Sequence, residues 1–155
     1  MTYTLIVQGD PRPQPRQRHR SFKMGARIVT QNYTSQADPV NTWKDLIALA
    51  AREKLPAMPL TGPLRVSAVY YFRRPKAHYR TGKYSDQLRA DAPIYHTKKP
   101  DRDNLDKSFL DIMTQIGFWR DDCQVVAGEI EKYYAAAGPG AVFTIEELEE
   151  KNADN

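Results

Sequence analysis

Hydrophobic and polar positions in the first half of the chain predict a strand, a helix and a second strand. Residues 2–9, TYTLIVQG, form a short run rich in β-branched side chains, which is typical of a strand. Asp38 before Pro39 has the arrangement of an N-cap followed by proline in the first helical turn. Apolar residues then recur at helical spacing and predict a helix over residues 39–54. Residues 64–72, LRVSAVYYF, predict the second strand.

The second half of the chain is predicted to hold one helix followed by strands. The apolar residues of segment 103–116 fall on one helical face, and Gly117 is a suitable stop. Those residues are Leu105, Phe109, Ile112, Met113 and Ile116. Residues 123–126 and 130–136 predict a strand bent at Gly128, and residues 141–145 predict the last strand.

This order of elements indicates one domain of the α/β (α+β) class, with a mixed β-sheet flanked by helices. At 155 residues, a single domain with a proper core is the default. We expect the domain to span residues 1–145. The acidic residues 146–155, EELEEKNADN, are expected to form a disordered tail.

Two segments concentrate positive charge. Residues 10–27 contain three prolines and six basic residues opposed only by Asp10, and predict an extended basic loop. Residues 73–99 contain eight basic and two acidic residues. A connection this long is uncommon in a compact domain and is often functional. Within it, residues 94–97 have the pattern of a short strand.

The overall charge of the chain indicates an anionic partner. The net charge is +4 and the pI is about 9.2, which favours nucleic acid over other partners, although simple solubility is an alternative. The one cysteine, Cys123, excludes an intramolecular disulfide and fits a reducing compartment. The N-terminus lacks the pattern of a signal peptide, and no segment approaches the roughly 18–20 apolar residues of a membrane span. We expect a cytoplasmic protein with no membrane partner.

Acidic residues stand out against this basic background in KKPDRDNLDK, residues 98–107. Asp101 and Asp103 are two apart at a helix entrance, where extended chain projects both to one side. They repel each other unless a cation lies between them. Lys107 lies about 40° from Asp103 around the helix, on the same polar face. Asp106 is offset from Lys107 and is a poorer candidate ligand.

A second acidic site precedes the bent strand at Asp121 and Asp122. Adjacent residues on extended chain point in opposite directions, so at most one of them joins the first pair. Carboxylate oxygens without clustered thiolates or histidines suit Mg²⁺ or Mn²⁺ rather than zinc. The plainer alternative is that the acids stabilise a helix start and form surface ion pairs. Two basic segments around two acidic sites favour a metal-dependent enzyme acting on a phosphodiester.

The segment KPDRDNLDKSFLDIMTQIGFWRDDCQVV resembles the signature of RusA-type Holliday-junction resolvases, the crossover-junction endodeoxyribonucleases of bacteria and their phages. The dense likeness covers roughly residues 99–126, and the segment 73–83 is similar to phage-type members. The residues that match the pattern are Asp101, Asp103, Asn104, Leu105, Lys107, Asp111, Asp121, Asp122, Gln124 and Val125. Arg102 and Cys123 depart from it without removing a ligand.

The resemblance implies a Mg²⁺-dependent homodimer that nicks four-way DNA junctions in opposed strands during recombination and repair, with Mn²⁺ as a possible substitute. By position, Asp101, Asp103 and Asp122 correspond to essential metal-binding carboxylates and Lys107 to a functional lysine, with Asp121 as a helper and further candidate metal ligand. The expected DNA-binding residues are Arg16, Arg18, Arg20, Arg73, Arg74, Lys76, Arg80 and Lys83. Two alternatives stay open: a nuclease for other branched DNA, and a non-catalytic DNA-binding module of the same fold.

Three further residues receive predicted roles. Asp111 is expected to orient Lys107 rather than to bind metal. Cys123 is expected to be a small buried residue, since no histidine accompanies it as it would a nucleophile. Gln124 is expected either to support the site or to lie on a strand surface.

Overall fold

A five-stranded mixed sheet with two helices on one face forms the body of the protein. The computed structural model describes residues 1–15, 18–33 and 37–153. Its helices are α1 (Pro39–Arg52) and α2 (Arg102–Gln115). Its strands are β1 (Thr2–Gln8), β2 (Arg18–Met24), β3 (Arg27–Tyr33), β4 (Leu64–Phe72), β5 (Val125–Ala127), β6 (Ile130–Tyr134) and β7 (Gly140–Glu147).

The main sheet has β4 near its centre. β1 pairs antiparallel with β7, and β7 pairs antiparallel with β4. The other edge of β4 pairs in parallel with β5 near Leu64 and with β6 from Ala68 onward. The predicted single domain with a mixed sheet and flanking helices is therefore confirmed.

The core lies between this sheet and the two helices. Alternate residues of β4, from Leu64 to Phe72, are buried, as the period of a half-covered strand requires. From α2, Leu105, Phe109 and Met113 are fully buried, and the Phe109 ring stacks on Phe143 of β7 with centroids 3.8 Å apart. The predicted apolar face of this helix is thus the face that anchors it, and its opposite face remains available.

Both helices begin within one residue and end within two residues of the predicted positions. The Asp38 side chain accepts a hydrogen bond from Val40 N–H at 3.0 Å and caps α1. Gly117 follows α2 with φ 77°, a left-handed conformation that glycine adopts without a steric penalty. α1 ends two residues earlier than predicted, and α2 starts one residue earlier.

The expectation of an extended loop over residues 10–27 is only partly correct. Residues 10–15 lack regular structure, but β2 and β3 form a separate antiparallel hairpin with Met24 paired to Arg27. Gly25, with φ 62°, lies in the turn. The prolines occupy only residues 11–15, so they do not prevent the residues of β2 from forming a strand.

The strand predicted from residue 123 also differs from the structure. Asp122–Gln124 form a 3₁₀ turn, which precedes β5, and Cys123 is exposed rather than buried. Gly128 separates β5 from β6 as the predicted bend. β7 continues to Glu147, two residues into the segment expected to be a tail.

The long segment after β4 runs back along β6. Tyr134 N–H donates to the Ile94 carbonyl at 2.9 Å, and His96 N–H donates to the Lys132 carbonyl at 3.1 Å. Tyr95 forms an isolated bridge with Tyr133 where a short strand was expected. This pairing covers the edge of β6 and leads the chain to the start of α2. No helix in the described ranges is long and apolar enough to cross a membrane.

Candidate active site

The first turn of α2 presents two carboxylates to solvent. Asp101 is the N-cap residue, and its carbonyl accepts a hydrogen bond from Leu105 N–H at 3.2 Å. The Asp101 side chain makes no capping hydrogen bond within the described chain. Asp103 lies in the first turn, and both aspartates are exposed. The positive end of the helix dipole stabilises negative charge here, and the carboxylate oxygens remain accessible.

One turn farther along α2, Lys107 and Asp106 lie in different environments. Lys107 is exposed, on the side of the helix that carries Asp103. Asp106 is half-buried, and burial raises its pKa from 3.8 to about 6. Burial, and then the charge of Asp106, raise the pKa of Tyr70 on β4, so Asp106 lies toward the sheet. This placement agrees with leaving Asp106 out of the ligand set.

Asp121 is occupied in shaping the turn that carries Asp122. Its carboxylate accepts a hydrogen bond from Cys123 N–H at 2.9 Å, and this bond lowers the pKa of Asp121. Gln124 completes a capping box, because its amide oxygen accepts from Asp121 N–H at 2.8 Å. The Asp121 carboxylate is therefore already engaged within the chain, which weakens its case as a metal ligand.

Gln124 also ties this turn to the rest of the fold. Its amide nitrogen donates to the carbonyls of Leu60 at 3.0 Å and Gly62 at 2.9 Å. Of the two roles considered for Gln124, the structure shows support of the acidic turn. The D-x-x-Q spacing from Asp121 to Gln124 is a readable capping-box signal.

Asp122 is exposed on the 3₁₀ turn that contacts α2. A hydrogen bond shared with the Asp121 carboxylate raises the pKa of Asp122, and the charge of Asp111 raises it further. Asp111 follows Asp103 by eight residues, which is about 12 Å along a helix. The Asp111 charge thus acts on Asp122 from the second half of α2.

The described residues do not gather all three predicted ligands. No three acidic, histidine or cysteine side chains in this part of the chain are close enough together to hold a metal ion. Asp101 and Asp103 share the start of α2, whereas Asp122 lies on the adjoining 3₁₀ turn. The metal-ligand roles of the three aspartates remain predictions.

Asp111 is held by a partner other than the expected Lys107. Lys44 of α1 donates to its carboxylate at 2.5 Å, and Gln115 donates to the same oxygen at 3.1 Å. The Lys44–Asp111 ion pair joins the two helices. Lys107 is therefore not oriented by Asp111 and keeps its exposed ammonium group for other contacts.

Lys132 of β6 is a site residue that the sequence does not single out. Its ammonium group donates to the Lys98 carbonyl at 2.7 Å. The nearby Asp101 carboxylate acts to raise the pKa of Lys132, although burial has the larger effect and lowers it. Lys132 thus fixes the chain just before α2 and places a cation beside Asp101. A lone lysine on a strand carries no spacing signal that would have revealed this.

Residues 8–146 match the sequence model of the family described as Endodeoxyribonuclease RusA. The protein belongs to the RusA family. This match covers both acidic sites and both basic segments, whereas the signature seen in the sequence was dense only over residues 99–126.

Relatives of this RusA family member come from bacteria and a phage. YqaN of Bacillus subtilis is 29% identical over 100 residues, which are 63% of this chain and 69% of YqaN. The crossover junction endodeoxyribonuclease RusA of Escherichia coli K12 is 34% identical over 62 residues, which are 40% of this chain and 52% of that protein. The protein of the same name from Enterobacteria phage 82 gives the same values. The match therefore spans about half the length of these RusA proteins.

The predicted DNA-binding residues of this RusA family member divide into accessible and internally bonded groups. Lys76 and Lys83 are exposed on the segment after β4. Arg80 is exposed too, but its guanidinium donates to the Gln87 side chain at 2.8 Å and lies over the Tyr84 ring. Arg73 is also exposed and lies 3.5 Å from Asp10 in an ion pair. Arg74, in contrast, donates to the Pro93 carbonyl at 2.7 Å and lies over the Tyr134 ring, so its guanidinium stabilises the segment itself.

The remaining predicted DNA-binding residues precede or lie on the hairpin. Arg16 lies outside the described residues. Arg18 lies on β2, and Arg20, on the same strand, donates to the Gln31 side chain at 2.7 Å. Contact of any of these side chains with DNA remains a prediction.

Proposed function

We propose that this RusA family member is a Mg²⁺-dependent endodeoxyribonuclease that resolves four-way DNA junctions by paired symmetric nicks. The observation that carries the proposal is the start of α2. There, two exposed aspartates and the exposed Lys107 follow a basic segment, all within the family match. Cleavage of this kind is a step of DNA recombination and repair.

The donors at the start of α2 fit a hard divalent cation. Mg²⁺ in enzymes that act on phosphates is commonly held by one or two carboxylates together with water and substrate oxygens. Asp101 and Asp103 supply exposed carboxylates of that kind. We assign Asp122 as a further ligand, with Mn²⁺ as a substitute ion. When bound, the ion supplies Lewis-acid stabilisation of the phosphate oxygens and a water of lowered pKa.

The chain's own cations hold and stabilise the DNA phosphates. Lys107, exposed one turn after Asp103, neutralises the negative charge that develops on the attacked phosphate. The exposed residues Lys76, Arg80 and Lys83 bind flanking phosphates, whose contacts supply affinity without sequence information. Lys132 keeps the chain before Asp101 in place through its bond to Lys98.

Two nicks in opposed strands require two equivalent sites. A homodimer with twofold symmetry meets this need, because it presents the same start of α2 to each of two symmetry-related strands. We therefore propose a homodimer as the active species, with a branched DNA junction as its partner.

Nick mapping on a synthetic mobile four-way junction and a matched linear duplex tests this function. With Mg²⁺, paired symmetric nicks should appear in the junction, and EDTA should abolish them. Asp103→Asn should bind the junction at least as well as the unmodified protein, because a negative charge facing DNA is lost, yet it should cut at least 100-fold more slowly. Asp45→Asn, at an exposed position of α1, is the matched control and should cut normally.

Each alternative function has its own outcome in this assay. Equal cutting of the linear duplex would reject junction specificity in favour of a broader nuclease. Binding without metal-dependent cutting would identify a DNA-binding module. Full activity of Asp103→Asn would refute the assignment of that carboxylate as a metal ligand.

A further inference from the structure

A preformed cavity lies between the proline-rich segment and the start of α2. It has a volume of about 630 Å³ and is lined on one side by residues 10–15 and on the other by His96, Lys99 and Asp101. That volume falls within the range of about 300–1,000 Å³ typical of small-ligand clefts. Since Asp101 lies at its edge, any ligand in the cavity adjoins the proposed active site.

The wall formed by residues 10–15 is held in place by α2. Gln14 N–H donates to the Asn104 carbonyl at 2.9 Å, and the Ser108 hydroxyl donates to the Arg12 carbonyl at 2.9 Å. The three prolines at positions 11, 13 and 15 fix their own φ angles. The backbone of this wall is therefore held in place before a ligand binds.

An aromatic pair and two polar side chains line the interior. The His96 imidazole stacks on the Phe72 ring with centroids 3.9 Å apart and planes 19° from parallel. His96 Nδ1 and Gln14 Oε1 are buried and have no hydrogen-bond partner among the described residues. Burial, and then the charge of Lys132, lower the pKa of His96, which favours the neutral imidazole. Buried polar atoms without a partner call for an explanation. A ligand that meets them after a rotation of the Gln14 and His96 side chains supplies one.

Three cationic side chains at the rim of the cavity suit an anionic ligand. Arg12, Arg73 and Lys99 line the cavity, against the two acids Asp10 and Asp101. Arginine and lysine side chains suit phosphate, whereas an aromatic face and neutral polar groups suit a nucleobase. A nucleotide is the ligand class that uses both sets at once.

We propose that this cavity binds one unpaired deoxynucleotide beside the metal site proposed at Asp101 and Asp103, and that Gln14 and His96 select its base. The inference rests on the proposed function, because it takes the nucleotide from the same DNA strand. The base lies against the Phe72–His96 pair, and its polar edge meets Gln14. Its phosphate lies toward Arg12, Arg73 and Lys99. Base selectivity at the cut then arises inside the cavity rather than in the basic segments.

A binding measurement tests the cavity without requiring cleavage. Junctions carrying 2-aminopurine at single positions near the crossover are bound to the full-length protein in EDTA. Stacking in the cavity should change the fluorescence at one position at least threefold more than at neighbouring positions. Gln14→Leu and His96→Phe keep side-chain volume or ring shape but remove the polar atoms. Loss of the polar contacts should reduce that positional difference to less than twofold, and Gln115→Leu, at the far end of α2, should preserve it.

Cleavage of four junctions that differ only in the base at the cut gives the second readout. The unmodified protein should prefer one base over the least favoured by about tenfold or more, since a good polar contact to a base gives discrimination of this order. Gln14→Leu and His96→Phe should bring the four rates within about twofold while cutting continues and the melting temperature is unchanged. A position-independent fluorescence signal, or full base preference in both variants, would overturn the proposal. If the unmodified protein cuts no junction, the proposed function fails, and the fluorescence measurement alone still decides whether the cavity binds a nucleotide.

Discussion

At the residue scale, the spacing of residues along the chain was enough to locate the acidic residues of the site. It did not show which side chains contact them. The positions of Asp101 and Asp103 could be predicted because helical periodicity fixes where α2 begins. The pairing of Asp111 with Lys44 is not readable, because 67 residues separate the two side chains. Lys132 was missed for the same reason, since its role depends on a contact with the Lys98 carbonyl across the β6 edge.

Asp106 gives a prediction about stability and pH. Burial raises its pKa from 3.8 to about 6, so the folded state binds the proton more tightly than the unfolded state. The stability linked to this proton is complete below pH 4 and is lost as the pH rises through about 6. Asp106→Asn removes the charge, so the variant does not lose this stability as the pH rises. The difference in free energy of unfolding, variant minus unmodified protein, should therefore increase by about 1 kcal/mol from pH 4 to pH 7, a value that allows for partial solvent exposure of the carboxyl group.

Urea denaturation across this pH range, in EDTA, measures the difference. Asp45→Asn on the exposed face of α1 is the control, and its curve should stay parallel to that of the unmodified protein. A parallel curve for Asp106→Asn would contradict the burial of this carboxyl group. Retained junction cutting by Asp106→Asn is also expected, since this residue lies toward Tyr70 rather than beside Asp103.

At the element scale, helices and long strands were predictable and short elements were not. α1, β4 and α2 carry enough apolar residues for their period to be clear. The hairpin of β2 and β3 was not predicted, because arginines interrupt its hydrophobic pattern. The 3₁₀ turn before β5 depends on bonds from Gln124 to residues about 60 positions earlier, which no local window contains.

Gly128 allows β5 and β6 to share one edge of β4, and this predicts a large effect of substitution. Its φ is 139°, and an added Cβ would lie 1.7 Å from the Val66 carbonyl oxygen. Gly128→Ala should lower the free energy of unfolding by at least about 2 kcal/mol, because backbone strain adds to the clash. Gly138→Ala is the matched control, since its Cβ meets no described atom within 4 Å. Equal denaturation midpoints for the two variants would show that the strand break tolerates a side chain.

At the scale of the whole molecule, the charges separate into two basic segments and an acidic site. The basic segments were visible in the sequence, and the family match confirms that they belong to one unit with the acids. The sheet order was not readable, because β5 and β6 both pair with β4 only through the bend at Gly128. The charge pattern of the sequence also did not show that the Arg74 side chain forms a hydrogen bond within its own segment.

This separation predicts how junction binding depends on salt. Lys76 and Lys83 are exposed on the segment after β4, and each is expected to neutralise one phosphate. Replacing both with alanine should make the slope of log affinity against log salt shallower by about 2, because each contact contributes about 0.9. Lys151→Ala, the loss of one positive charge in the acidic C-terminal segment, should leave the slope unchanged. Fluorescence anisotropy of a labelled junction in EDTA over a sodium chloride series measures these slopes. An equal slope for the double variant and the unmodified protein would remove the segment after β4 from the DNA-binding surface.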